Sequence, residues 1–89
     1  MEDYGIAAYR SRSQVLRLEA QLRREGVVCA VVSTPREGAL GCGLSVRFEL
    51  ADLERVRRAV AKLPSAGLIG LYRVHATGPR RLSVLTQRG

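Results

Sequence analysis

These 89 residues predict an α+β domain, and three observations carry the prediction. Residues 44–48 alternate, with Leu44, Val46 and Phe48 apolar and Ser45 and Arg47 polar. That is the period of a strand with one buried face. Val15, Leu18 and Leu22, and later Leu53, Val56, Val60 and Leu63, recur at the spacing of amphipathic helices. Read along the chain, the elements follow the order β-α-β-β-α-β. Right-handed crossovers then place two helices on one face of a four-stranded antiparallel sheet with strand order 4-1-3-2. The simplest closed solution is a ferredoxin-like sandwich.

Each element has a local cause. Residues 4–9, Tyr-Gly-Ile-Ala-Ala-Tyr, read as a short strand weakened by Gly5. Ser11 or Ser13 can cap the next helix by accepting an N–H bond that the first turn leaves unpaired. Arg17, Glu19, Arg23 and Arg24 form its wet face, and Gly26 stops it because glycine tolerates the left-handed conformation. Residues 27–33, Val-Val-Cys-Ala-Val-Val-Ser, give the strongest strand signal. Their apolar run predicts cover on both faces. Pro35 ends that strand, and residues 44–49 form the next. A helix follows from Leu50 and is closed by Pro64 and Gly67. Residues 68–75 read as the last strand of the domain, and Gly78-Pro79 breaks the chain. The expected division is a domain over 1–78 and a basic tail over 79–89, in which residues 82–85 either add a short edge strand or fray.

Composition narrows the function classes. Fourteen Arg and one Lys oppose six Glu and two Asp, giving a net charge of +7. Residues 73–89 contribute Arg73, Arg80, Arg81 and Arg88 without an acid, so the excess sits largely at the end of the chain. Such an end suits nucleic acid, an acidic protein surface or solvent. One Phe, three Tyr and no Trp argue against an aromatic cage or a row of stacking platforms. No apolar run approaches the roughly 20 residues that span a bilayer. No basic flank precedes an apolar stretch near the start, so a cytoplasmic location is expected rather than secretion.

The connection over residues 34–43, Thr-Pro-Arg-Glu-Gly-Ala-Leu-Gly-Cys-Gly, is longer than a hairpin requires. Long connections often carry function. Cys42 lies between Gly41 and Gly43, whose small size lets backbone N–H groups turn toward a sulfur anion. Arg36 can add positive charge and lower the thiol pKa, and the thiolate is the reacting species. Glu37 can instead pair with Arg36 and cancel its influence. Cys42 therefore reads either as a reactive thiol or as an inert cysteine in a glycine-rich turn. Cys29 sits inside an apolar run, where cysteine behaves as a small hydrophobe. His75 is the only histidine, and no local ligand spacing supports a metal site. No phosphate-binding glycine pattern is present, so no cofactor is expected.

The stretch Pro35-Arg36-Glu37 … Cys42-Gly43-Leu44-Ser45-Val46-Arg47-Phe48, followed by Asp52-Leu53, resembles the Putative Se/S (selenium/sulfur) carrier protein-like family, a small bacterial domain. A short strand and a Ser-led helix precede the motif, and Gly70-Leu71-Tyr72-Arg73-Val74 matches the family's usual end. The resemblance covers about residues 4–75. It implies a transient persulfide or selenosulfide on Cys42, with Arg36 and Glu37 at the preceding motif positions. It also implies a donor such as a cysteine desulfurase or selenocysteine lyase, together with an acceptor. Ala39 and Leu40 stand where members often have a serine pair, so a hydroxyl contribution is absent there.

Such a protein is a carrier or accessory protein more than a turnover enzyme. Two other classes compete with it. One is a regulatory or adaptor domain acting through oligomerisation. The other is a weak nucleic-acid-binding domain, disfavoured because Ser45, Arg47 and Glu49 supply no aromatic to the strand that would meet bases and only Tyr72 could replace them. The apolar 27–32 run and the small core predict a homodimer or higher homo-oligomer.

Overall fold

The computed structural model describes residues 2–35, 43–78 and 81–85. Its elements are β1 (Tyr4–Tyr9), α1 (Arg12–Arg24), β2 (Cys29–Ser33), β3 (Leu44–Phe48), a 3-10 turn (Leu50–Asp52), α2 (Leu53–Ala61), β4 (Leu68–His75) and β5 (Arg81–Val84). The strands form one sheet in the order β2-β3-β1-β4-β5, with every neighbouring pair antiparallel. The first four strands thus take the order 4-1-3-2 expected from sequence. The sheet has five strands rather than four. Arg81–Val84 pairs with Tyr72–His75 along the outer edge of β4, which the four-strand arrangement would have left open.

The pairing register sorts side chains onto two faces, because residues opposite one another in an antiparallel ladder share a face. Ala7 lies opposite Val46 and Leu71, and Gly5 lies opposite Phe48. These residues share the core with Val15, Leu18 and Leu22 of α1 and with Val56 and Ala59 of α2. Both helices therefore cover the same sheet face. Removing each such Val, Leu or Phe side chain from water contributes about 1.5–3 kcal/mol, and this burial is the main force holding the layers together.

The helix ends follow local chemistry. Ser11 has extended backbone and its Oγ accepts from the Gln14 N–H at 3.3 Å, so Ser11 is the cap of α1 rather than Ser13. Gly26, at φ +78°, turns the chain out of α1, and the following Val27 N–H donates back to the Leu22 carbonyl at 2.9 Å. The second helical stripe begins as a 3-10 turn and becomes α-helical only at Leu53.

The 27–33 run differs most from its sequence reading. Its strand begins at Cys29 and lies at the edge of the sheet. Val28 is 74% exposed, Ala30 and Ser33 are exposed, and Cys29, Val31 and Val32 are half-buried. A doubly apolar run usually marks a central strand. Here the central place is taken by β1, whose Ile6, Ala7, Ala8 and Tyr9 are all buried.

Candidate functional site

The ladder of β2 and β3 frames the connection that carries the sequence-predicted site. Beyond the Ser33–Leu44 pair, the Thr34 N–H donates to the Gly43 carbonyl at 2.8 Å. On the same strand ends the hydroxyls of Thr34 and Ser45 lie 2.7 Å apart, and Ser45 is fully buried. Gly43 turns at φ +82°, a conformation that disfavours residues with a Cβ. The two ends of the connection are thus pinned together at Thr34 and Gly43. Arg36, Glu37 and Cys42 lie outside the described residues.

Cys29 occupies the opposite end of the same ladder, where it pairs with Phe48. Its Sγ donates to the Glu19 carbonyl of α1 at 3.9 Å. Burial pushes its thiol up from the ordinary value, partly offset by the Arg23 charge and reinforced by Glu19. Cys29 is half-buried and packs against the core, as its reading as a small hydrophobe expects. It borders an open cleft of about 630 Å³ that also touches Tyr4, Arg47, Phe48, Glu49 and Arg73.

His75 and its neighbours are structural. The Asp3 carboxylate accepts from the Arg73 Nε and the Ala76 N–H at 2.9 and 2.8 Å, and its Oδ2 lies 3.5 Å from His75 Nδ1. His75 Nε2 also meets the Ser83 hydroxyl at 2.6 Å, which joins β4 to β5. No group of three or more His, Cys, Asp or Glu side chains is placed to hold a metal ion among the described residues. The Ala76 N–H bond, with Arg73 beside it, holds the Asp3 carboxyl below its ordinary 3.8. A carboxylate with a lowered folded-state pKa stabilises the fold above its unfolded value and loses that contribution as pH falls through the folded value. Asp3→Asn is therefore expected to lower Tm at neutral pH. Thermal melts of both proteins should converge as pH drops below 3.8, the value for a free carboxyl.

The sheet face away from the helices carries a feature that sequence reasoning missed. Arg47 stacks over the Tyr4 ring with 3.8 Å between its guanidinium carbon and the ring centroid. Ile6 pairs with both Arg47 and Tyr72, and it is fully buried on this face. Tyr4 thus joins Tyr72 there. The register that brings Tyr4 beside Arg47 was its only signal, and a register is not visible in a single strand.

A family model described as Putative Se/S carrier protein-like matches residues 4–65. The match includes the Pro35-Arg36-Glu37 and Cys42-Gly43 elements and both ends of the β2–β3 ladder. No curated protein and no solved structure gives a match. Among the described residues, no helix is long and apolar enough to cross a membrane.

Proposed function

The chain belongs to this family, and from that premise we propose that it carries a sulfane sulfur or selenium atom on Cys42, as a persulfide or selenosulfide. The observation that carries this reading is the family match across the cysteine-bearing connection. The ferredoxin-like arrangement is part of the same reading, supported by the 4-1-3-2 order of the first four strands and by two helices on one face. The carrier would act in a bacterial cytoplasm, where thiols are kept reduced.

For sulfur, the loading step is a thiolate displacement. The Cys42 thiolate attacks the outer sulfur of a donor persulfide, of the kind formed on a cysteine desulfurase. A new S–S bond forms at Cys42, and the donor's S–S bond breaks to release the donor cysteine as a thiolate. An acceptor nucleophile then takes the outer sulfur and returns Cys42 to the thiolate. A selenocysteine lyase fills the donor role for selenium. In this reading Arg36 and the backbone N–H groups beside Gly41 and Gly43 stabilise the anion in both forms, and Glu37 is the loop partner that competes for Arg36.

Incubating the reduced protein with a cysteine desulfurase and cysteine tests the reading. Intact-mass analysis should show one added sulfur per chain, mapped to the Cys42 peptide and removed by reductant. Sulfur that never appears, or that appears on Cys29 instead, overturns it. Arg36→Ala should raise the pH midpoint of iodoacetamide labelling at Cys42. An unchanged midpoint removes Arg36 from the site.

A further inference from the structure

β2 is an edge strand without the features that usually block edge pairing. Its sequence Cys-Ala-Val-Val-Ser has no charge and no proline, and its register against β3 has no bulge. The other edge is different, since β5 is four residues long and carries the exposed Arg81.

The hydrogen-bond phase of β2 follows from its base. The Thr34 N–H points at β3, where it meets the Gly43 carbonyl. Alternation along an antiparallel strand then turns the backbone N–H and C=O groups of Val32 and Ala30 inward as well. Those of Cys29, Val31 and Ser33 point outward, away from β3. No backbone hydrogen bond joins these outward groups to another described residue.

This outward set is symmetric about Val31. We propose that the β2 edge pairs antiparallel with the β2 edge of a second copy of this chain, about a two-fold axis through Val31. Val31 then faces Val31, and Cys29 of each copy faces Ser33 of the other. All three pairs fall in the hydrogen-bonded phase, which gives two N–H···O bonds each. The result is a continuous sheet with all helices on one face.

The helix beside β2 favours a second copy over an unrelated strand. β1 and β2 both run antiparallel to β3, so α1 between them runs back against β2. Cys29 Sγ meets the Glu19 carbonyl, which fixes Glu19 near the Cys29 end, with Leu16 and then Arg12 toward the Ser33 end. Leu16 is 43% exposed and Arg12 is exposed. Rotation about Val31 brings Leu16 toward Leu16 and places Glu19 of one copy opposite Arg12 of the other. α1 packs across both β2 and β3, so the two helices would stand at most about 14 Å apart, three strand spacings of roughly 4.8 Å, a gap that these long side chains can fill. Glu19 already accepts from Arg23 of its own helix at 3.1 Å, so across the axis its carboxylate would lie between two guanidinium groups, around an apolar Leu16 centre.

Light scattering on the full chain should give twice the 9.8 kDa chain mass at micromolar concentration. Val31→Lys puts two ammonium groups at the axis and should restore the single-chain mass with an unchanged circular dichroism spectrum. A second test does not depend on that variant folding. In a Cys42→Ser background, Ser33→Cys sets a new thiol opposite the native Cys29 of the other copy, and mild oxidation should give a covalent dimer. Adding Cys29→Ser should abolish the cross-link, because the two residues at position 33 lie about 13 Å apart across the axis. A monomer throughout the concentration range overturns the proposal. So does a dimer whose cross-link persists without Cys29, which would point to a different face. A monomer that gains mass only when an extended peptide is added would assign the edge to another protein and also overturn it.

Discussion

Truncating Phe48 to alanine is expected to remove about 3–5 kcal/mol of stability, which for a domain of this size is a large share of a total of roughly 5–15 kcal/mol. Phe48 is the only phenylalanine in the chain and is 1% exposed. It sits where β3, β1 and β2 meet, opposite Gly5 on one side and Cys29 on the other. The same ring explains Gly5. A Cβ at that position would stand closer to the ring atoms Cε2 and Cζ than real Cβ contacts allow. The glycine that weakens β1 as a strand is therefore the space into which Phe48 packs. Gly5→Ala alone should cost about 1–3 kcal/mol through overpacking. In the Phe48→Ala background the added methyl enters vacated space, and its cost should largely disappear. Urea denaturation of the four proteins in this cycle measures the coupling. Additive losses would show that Gly5 is required for a reason other than the ring.

Cys42→Ser should abolish sulfur loading altogether, whereas Cys29→Ser should leave it near the wild-type level. The expected contrast is all-or-none because the proposed loading uses a single thiolate and serine cannot form the S–S bond. Cys29 differs in two described respects. It is half-buried against α1, and burial pushes its thiol pKa up. Both reduce the thiolate population available to a donor. Time-resolved iodoacetamide labelling of the folded protein should therefore modify Cys42 well before Cys29. The pH midpoint of Cys29 labelling should lie above that of an ordinary thiol. Faster modification of Cys29, or loading retained in Cys42→Ser, would transfer the carrier role away from the motif cysteine.

Much of the fold was legible because its signals are local. The alternation at 44–48, the stripe Val15, Leu18, Leu22 and the Ser11 cap each act within a few residues, and each lies where its pattern puts it. The place of a strand within the sheet is not local. The run at 27–33 is more uniformly apolar than β1, yet β1 is central and β2 lies at the edge. Apolar content reports burial of side chains and also of interfaces that a single chain does not contain, so it cannot rank strands from centre to edge. β5 was ambiguous because Arg81–Val84 gains its order from pairing with β4 and has no strong pattern of its own. At the site, the family motif was legible in sequence. The stacking of Arg47 on Tyr4 was not, since it depends on register.

The central position of β1 has a consequence for how the chain reaches its native state. Among the five strands of this sheet Tyr4–Tyr9 is synthesised first, but both of its neighbours come later, β3 at Leu44–Phe48 and β4 at Leu68–His75. A nascent chain that ends before Leu68 can pair β2 with β3, and it can form α1 and α2, but it cannot form the β1–β4 ladder that covers the other edge of Ile6 and Ala8. The Asp3 clasp to Arg73 and Ala76 closes last for the same reason, across a sequence separation of 70 or more residues. Loop closure of that length costs entropy before any contact repays it, and folding slows as the average separation of contacts grows. Folding is therefore expected to be limited by insertion of β1 between β3 and β4. Substitutions at Ala7 or Ile6 should slow refolding, while those in β5 should mainly speed unfolding.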